Sequence, residues 1–375
     1  MKCVKILSVF FVFLFVFNLK VFAISDTSSA SVILNADTLE IIYQNNSNSK
    51  RSMASTTKIM TGLLLAESGR LEEIICITAE MVAVEGSAMG LRAGDYISGR
   101  DLLYGLMLMS GNDAANATAH FLAGNNENFA KMMNDKAKLL GLSSTNFVTP
   151  SGLDSEEHYT TAYDLAVLSA YALKNEEFAK AVSSKTANVR FGNPMVKYTI
   201  KNHNRLLKEY DGCIGVKTGF TKKSGRCLVS AAKRGSATIV VVTLNDPNDW
   251  RDHKSMLDYG FEALTEKEFT KNDIPRSITV FGAEEKSAKI TIDSIAVSVL
   301  KENIDKLTVS VKTPKFIFAP ISKGETVGRM EILYNGKIIA KTDIIVEGDL
   351  KTVEPRQMTF NEKFIDYILF IIKSF

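Results

Sequence analysis

The sequence predicts an α/β domain in which an antiparallel sheet carries a helical insert, followed by a small C-terminal all-β domain. Three observations predict it. β-patterned runs lie at both ends of the first 265 residues, a block with helical periodicity lies between them, and short Val/Ile-rich runs follow residue 275. A layered domain with strands from both chain ends suits this order better than a βαβ array. No G-x-G-x-x-G or G-x-x-x-x-G-K-[ST] pattern occurs, so nothing suggests a nucleotide cradle. The 375 residues, 46% of them hydrophobic, are enough for one or two packed cores and exclude a disordered chain.

Residues 31–36 (SVILNA) and 39–44 (LEIIYQ), joined by Asp37-Thr38, read as a hairpin. The polar loop NNSNSKRS leads to Ala54. From Ser55 the pattern turns helical, with Ile59, Met60, Leu63 and Leu64 spaced for one buried face and Gly69 as the stop. Residues 99–109, 113–122, 127–140 and 162–173 read as further helices, the last opened by Thr161 and Asp164 as an acidic variant of the capping box. Runs 214–220, 226–232 and 237–244 read as strands and 250–264 as a helix. Beyond the charged stretch 265–275, runs 277–281, 289–292, 296–300, 307–312, 326–334 and 337–345 read as strands. Asn335-Gly336 is a hairpin turn between the last two. The expected domains are therefore 24–265 and 276–350.

Both ends belong at a membrane. Lys2 and Lys5 precede an apolar run from Ile6 to Phe17, and Val21-Phe22-Ala23 supplies small residues for cleavage, so 1–23 reads as a secretory signal peptide. Residues 358–375 read as an amphipathic helix lying in the membrane plane, too short to cross a bilayer, with docking on the protein itself as the alternative. The expected location is the outer face of a cytoplasmic membrane. Bases outnumber acids only 45 to 42 and no basic block occurs, which argues against a nucleic-acid partner. The four histidines show no metal spacing. Cys76, Cys213 and Cys227 remain after the leader, and one disulfide plus a thiol or three thiols both fit.

Three short motifs carry chemistry. In Ser55-Thr56-Thr57-Lys58 a helical turn brings the lysine amine to the serine hydroxyl, where a neutral amine can take its proton. Burial and a second cation favour that neutral form, and the helix start offers N–H groups to an oxyanion. Alone the pattern is cheap, because a Ser N-cap with a surface Lys gives it too. Ser230/Lys233 and Ser298/Lys301 repeat it, but in β-patterned runs where positions three apart face opposite ways. Ser110-Gly111-Asn112 puts a hydroxyl and an amide on a loop between helices, as an ordinary turn also would. Lys217-Thr218-Gly219 lies in a β-run, where Lys and Thr can bind an anionic terminus and the glycine admits a substrate backbone.

The ordered set S-x-x-K, S-x-N, K-T-G on helix start, loop and strand is hard to reach by accident. With it, the chain resembles the low-molecular-mass penicillin-binding proteins, the serine D-alanyl-D-alanine carboxypeptidases of peptidase family S11. The likeness runs through ASTTKIMTGLL, LLYGLMLMSGNDAANA, HYTTAYDLA, GVKTGFT and the trailing β domain with its C-terminal segment. Phe220 stands after K-T-G where many relatives carry His.

The resemblance implies the penicillin-binding/β-lactamase-like fold and no cofactor or metal. It implies that Ser55 attacks the bond between the two terminal D-alanines of a peptidoglycan stem peptide, with Lys58 as general base and Ser110 assisting hydrolysis. Asn112 would hold the substrate amide, and Lys217, Thr218 and Gly219 would bind the substrate, the first two at its carboxylate. β-Lactam antibiotics would acylate Ser55. A β-lactamase shares the motifs, but the class A run E-x-x-L-N is absent. A transpeptidase differs only in its acceptor. A non-catalytic wall-binding scaffold is disfavoured, because it has no chemical reason to keep Ser55, Lys58, Ser110 and Lys217 together.

Overall fold

The structure, a computed structural model, describes residues 24–353 together with 364, 365, 368 and 369. Strands β1 (Ala30–Asn35) and β2 (Ile41–Asn45) form the expected hairpin. A 3₁₀ turn, Ala54–Thr57, precedes α1 (Lys58–Glu67), β3 (Ile74–Cys76), α2 (Ala79–Val82) and β4 (Tyr96–Ser98). Then come α3 (Gly99–Leu108), α4 (Asn112–Ala123), α5 (Asn126–Leu139), α6 (Ala162–Ala172) and α7 (Glu176–Ser183). After β5 (Thr186–Gly192), β6 (Met195–Lys201) and α8 (Leu206–Glu209), the chain returns through β7 (Cys213–Thr221), β8 (Gly225–Arg234), β9 (Ala237–Leu244) and α9 (Asp249–Ala263).

The central sheet runs β2-β1-β9-β8-β7, antiparallel throughout. Helices cover both faces, so its inner strands are apolar on both sides. Val240, Val242 and Leu244 of β9 join the core under α1, α3, α4 and α6, whereas Ile239 and Val241 pack beneath α9 with Ile33, Met256 and Leu257. His253 fastens α9 to this sheet. Its ring lies 2.6 Å from the Ser230 hydroxyl on β8 and 2.9 Å from that of Thr243 on β9.

Several details depart from the sequence reading. Ser55 sits in a 3₁₀ turn, and the α-helix begins only at Lys58. Thr161 caps α6 by accepting the Asp164 N–H, but the Asp164 carboxylate turns away to the Ser144 N–H and the Thr145 hydroxyl, so the capping box is half formed. A second sheet, β3-β4-β5-β6, went unread because β6 buries little beyond Ile200. All three cysteines of the described chain are free thiols.

The C-terminal part adds β10 (Leu264–Phe269), β11 (Ser277–Phe281), β12 (Ser287–Ile292), β13 (Ile295–Leu300), β14 (Leu307–Lys312), β15 (Phe316–Phe318), β16 (Thr326–Tyr334) and β17 (Lys337–Val346). Six of these form one sheet, β14-β16-β17-β12-β11-β15. Asn335 and Gly336 both take positive φ, as a tight hairpin turn requires. The charged stretch after residue 264 contains β10, which pairs with β13. Its ends Leu264 and Phe269 are buried and the charges between them face outward, so its alternation is weak.

The leader 1–23 lies outside the described residues, as does most of 358–375. Residues 364, 365, 368 and 369 are helical and exposed. Among the described residues no helix is long and apolar enough to cross a membrane.

Burial holds His253 down to about 3 and His158 to about 4. Both ordinarily titrate near 6.5, so below that pH the unfolded chain takes up protons first and stability is lost as pH falls. Denaturant midpoints measured from pH 6.5 to 4.5 should fall steadily, and His253→Gln should flatten the slope by up to one proton, about 1.4 kcal/mol per pH unit.

Candidate active site

Ser55, Lys58, Ser110, Asn112, Lys217, Thr218 and Gly219 come together where the first turn of α1, the α3–α4 loop and β7 meet. Lys58 is fully buried beneath Ser55. Its Nζ lies 2.9 Å from Ser55 Oγ, 2.7 Å from Asn112 Oδ1 and 2.7 Å from the Ser151 carbonyl oxygen. Burial pushes its pKa well below that of an ordinary lysine, the nearby Lys217 charge lowers it further, and Asp113 opposes both.

The hydrogen-bond pattern says which way the neutral amine points. Asn112 Nδ2 donates to the Glu85 carbonyl at 2.7 Å, which leaves Oδ1 as the acceptor facing Lys58. The Ser151 carbonyl can only accept. The two N–H bonds of a neutral amine therefore go to these oxygens, and its lone pair is left for Ser55, the one partner with a proton to give.

The turn that carries Ser55 is held from three sides. Gly219 of β7 passes directly over it: a Cβ there would sit 3.1 Å from the backbone nitrogens of Ser55 and Thr56. Gly152 lies against Ala54, where a Cβ would fall 1.9 Å from the carbonyl oxygen. His158 ties the 148–152 loop to the turn. Its Nδ1 accepts the Val148 N–H at 2.9 Å, so Nε2 carries the proton and donates to Thr57 Oγ1 at 2.7 Å, which donates on to the Ala54 carbonyl at 2.8 Å.

Ser110 holds φ +60°, a backbone region that non-glycine residues seldom occupy. Its Oγ accepts from Lys217 Nζ at 3.0 Å, and the same ammonium donates to the Thr218 carbonyl at 2.9 Å. Burial brings Lys217 down to about 7. Asp113 is turned from the lysines towards backbone: its carboxylate accepts the N–H groups of Met89, Gly90 and Leu91 at 2.9, 2.9 and 3.1 Å. That fixes the loop whose Glu85 carbonyl orients Asn112.

A family profile described as D-alanyl-D-alanine carboxypeptidase matches residues 20–248, and one for the C-terminal domain of penicillin-binding protein 5 matches residues 264–352. The chain belongs to peptidase family S11. It is a serine-type D-alanyl-D-alanine carboxypeptidase. The D-alanyl-D-alanine carboxypeptidase DacF of Bacillus subtilis is 33% identical over 336 residues, 86% of either chain. Among solved structures, DacD of Francisella tularensis has a TM-score of 0.61 at 27% identity, covering 88% of this chain and 95% of that one. The Streptomyces K15 DD-transpeptidase has a TM-score of 0.60 at 33% identity, covering 64% of this chain and 98% of that one.

In this S11 enzyme Ser55 opens into two hollows. One, of about 320 Å³, is bounded by Ser110, His203, Thr218 and Gly219, with Phe220 exposed at its rim. The other, of about 630 Å³, runs past Asn112 and Ser151 towards Asp154 and Lys222. His203, which lines the first hollow, is held below its usual pKa by burial and then by the Lys217 charge.

Sequence reasoning passed over Ser151, His158, Asp113 and Arg226. Ser151 acts through a backbone carbonyl, which no side-chain pattern announces. His158 was visible only inside HYTTAYDLA. Arg226 lines the first hollow, held by two 3.0 Å bonds to Asp249. Lys217 is buried against Ser110, so Arg226 is the solvent-facing cation of that hollow among the described residues lining it.

Lys217 titrates near 7 in the folded enzyme and near 10.4 unfolded, so stability rises between these pH values, by up to about 1.4 kcal/mol per pH unit. Thermal unfolding of Lys217→Met from pH 7 to 9 should lack that rise. Arg226→Gln should raise KM for a stem peptide roughly tenfold and leave kcat nearly unchanged in steady-state assays.

Proposed function

We propose that Ser55 is the nucleophile that releases the terminal D-alanine of peptidoglycan stem peptides, with Lys58 as its general base. The observation that carries this reading is the buried Lys58 amine, which has two acceptors for its N–H bonds and one hydroxyl for its lone pair. Lys58 takes the Ser55 proton as Oγ bonds to the carbonyl carbon, and the resulting oxyanion collapses to expel D-alanine. The leaving nitrogen takes a proton from Ser110, and the Lys217 ammonium, 3.0 Å away, resupplies it. Proton exchange with the now neutral Lys217 or with solvent returns Lys58 to its neutral form. Lys58 then takes a proton from the water that opens the ester.

The substrate carboxylate fits the side of the hollow formed by Thr218 and Arg226. Gly219 leaves room for the substrate backbone over the Ser55 N–H. The role first given to Lys217, a direct carboxylate contact, is thereby narrowed to supplying charge and protons behind Ser110. Penicillins, whose carboxylate and strained amide mimic the same groups, would acylate Ser55. The leader and the apolar C-terminal segment support a place on the outer face of the cytoplasmic membrane, and with it a role in the cell wall.

The test is D-alanine release from a stem pentapeptide together with labelling by a fluorescent penicillin. Ser55→Ala should abolish labelling, and release should drop by about a thousandfold or more. Lys58→Met should slow both acylations with the fold intact. Full release by Ser55→Ala would overturn the mechanism. Labelling without release, rescued by an added amine acceptor, would move the enzyme to transpeptidation, the activity named for its Streptomyces relative.

A further inference from the structure

The far edge of the C-terminal sheet carries three exposed aromatic rings. Phe281 of β11 and Phe316 and Phe318 of β15 are 52%, 46% and 67% exposed, and each packs against the other two, edge-on or tilted, with centroids 5.2 to 6.2 Å apart. Proteins usually guard a sheet edge with charge, proline or a bulge, because bare backbone and apolar side chains there invite association. Here the outermost strand reads Phe-Ile-Phe.

Two facts place this cluster relative to the rest of the molecule. The catalytic domain attaches at the opposite side of the sheet, where Tyr334 of β16 donates to Glu40 at 2.6 Å. From β16 to β15 the sheet has four strand spacings, roughly 19 Å along the sheet. The chain also leaves the domain beside the cluster. The Val353 N–H donates to the Gly282 carbonyl at 2.8 Å, and Ala319 N–H to that of Phe281 at 2.9 Å. The segment beyond Val353 therefore starts next to Phe281 and Phe318, and its described residues Phe364, Ile365, Ile368 and Leu369 are exposed as well.

We propose that the Phe281–Phe316–Phe318 edge enters the lipid interface as a second membrane contact beside the C-terminal segment. This rests on the reading of residues 358–375 as an in-plane anchor. One weak apolar anchor holds a protein only marginally, and two contacts on one body hold it well. The occupant is lipid because the cluster adjoins the exit of an amphipathic, apolar segment and lies across the sheet from the catalytic domain. Residues 354–375 carry three bases and three acids. Near the cluster Lys286, Lys315 and Lys351 stand against Glu284 and Glu285, a net of one positive charge. The contact is apolar, and its strength depends little on salt.

The test is co-sedimentation of residues 24–375 with vesicles of phosphatidylglycerol and phosphatidylethanolamine, at low and high salt. Phe316→Ser/Phe318→Ser should weaken partitioning at least tenfold and Phe318→Ser several-fold, at both salt levels, with penicillin labelling intact as the check on folding. Equal binding by wild type and the double variant would overturn the proposal. If Ile368→Glu/Leu369→Glu detaches the protein while the aromatic variant stays bound, the anchor stands and this contact falls. The converse pattern would leave the aromatic edge as the anchor and remove the C-terminal one. No binding by wild type would overturn both. A wild-type dimer that the double variant converts to monomer, without vesicle binding, would give the edge to a second copy. A C-terminal segment shielded from trypsin only in the wild type would give it to the chain's own end.

Discussion

A lysine with no carboxylate to pair with is the constraint on which the rest of the active site depends. Lys58 is fully buried, and its partners are two carbonyl-type oxygens and a hydroxyl. A carboxylate in any of those places would hold the amine as an ammonium, and the proton transfer proposed for Ser55 would lose its acceptor. Among the described residues, Asp113, the residue after Asn112, is the acid that acts on its charge, and its carboxylate is spent on backbone N–H groups instead. The same bonds that keep Asp113 away fix the loop that aims Asn112 at the lysine. Position and charge state are thus set by one arrangement.

Such a site costs stability, and the surrounding fold shows where the cost is met. Two buried lysines each carry a desolvation penalty of several kcal/mol when charged. The turn beneath them is strained at Ala54 and the loop beside them at Ser110, both with positive φ. These features sit on a sheet covered by helices on both faces and tied by the neutral imidazole of His253. His158 does the corresponding work nearer Ser55. It connects the loop that supplies the Ser151 carbonyl to the turn that supplies Ser55, so one ring ties together the supports of Lys58 and Ser55.

The sequence was most legible where one residue type alone suffices. Ser55, Lys58, Ser110, Asn112, Lys217, Thr218 and Gly219 converge, and the strands 237–244, 307–312 and 326–334 fall where their β-rich runs put them. It was least legible where geometry borrows backbone. The Ser151 carbonyl and the acceptor role of Asn112 have no signature in residue type. β6 and β15 lack periodicity because one is mostly solvent-facing and the other is only three residues long. The 3₁₀ turn at Ser55 also could not be told from an α-helix start, since both place Ser55 and Lys58 on one face.

The joint between the two domains matters to how the enzyme meets its substrate. The charged stretch after residue 264 has the composition of a flexible linker, yet α9 ends at Ala263 and β10 begins at Leu264, with no free residue between them. Leu264 and Leu300 pack into the core beneath α9, Asn35 donates to the Ser298 carbonyl at 2.9 Å, and Ser236 and Ser298 share a 2.7 Å bond. A hinge needs residues that can change φ and ψ without breaking contacts. This junction instead runs a helix straight into a paired strand whose two ends are buried. The opening above Ser55 therefore keeps a fixed bearing to the β domain, and whatever surface the domain rests on sets the direction from which a stem peptide can enter.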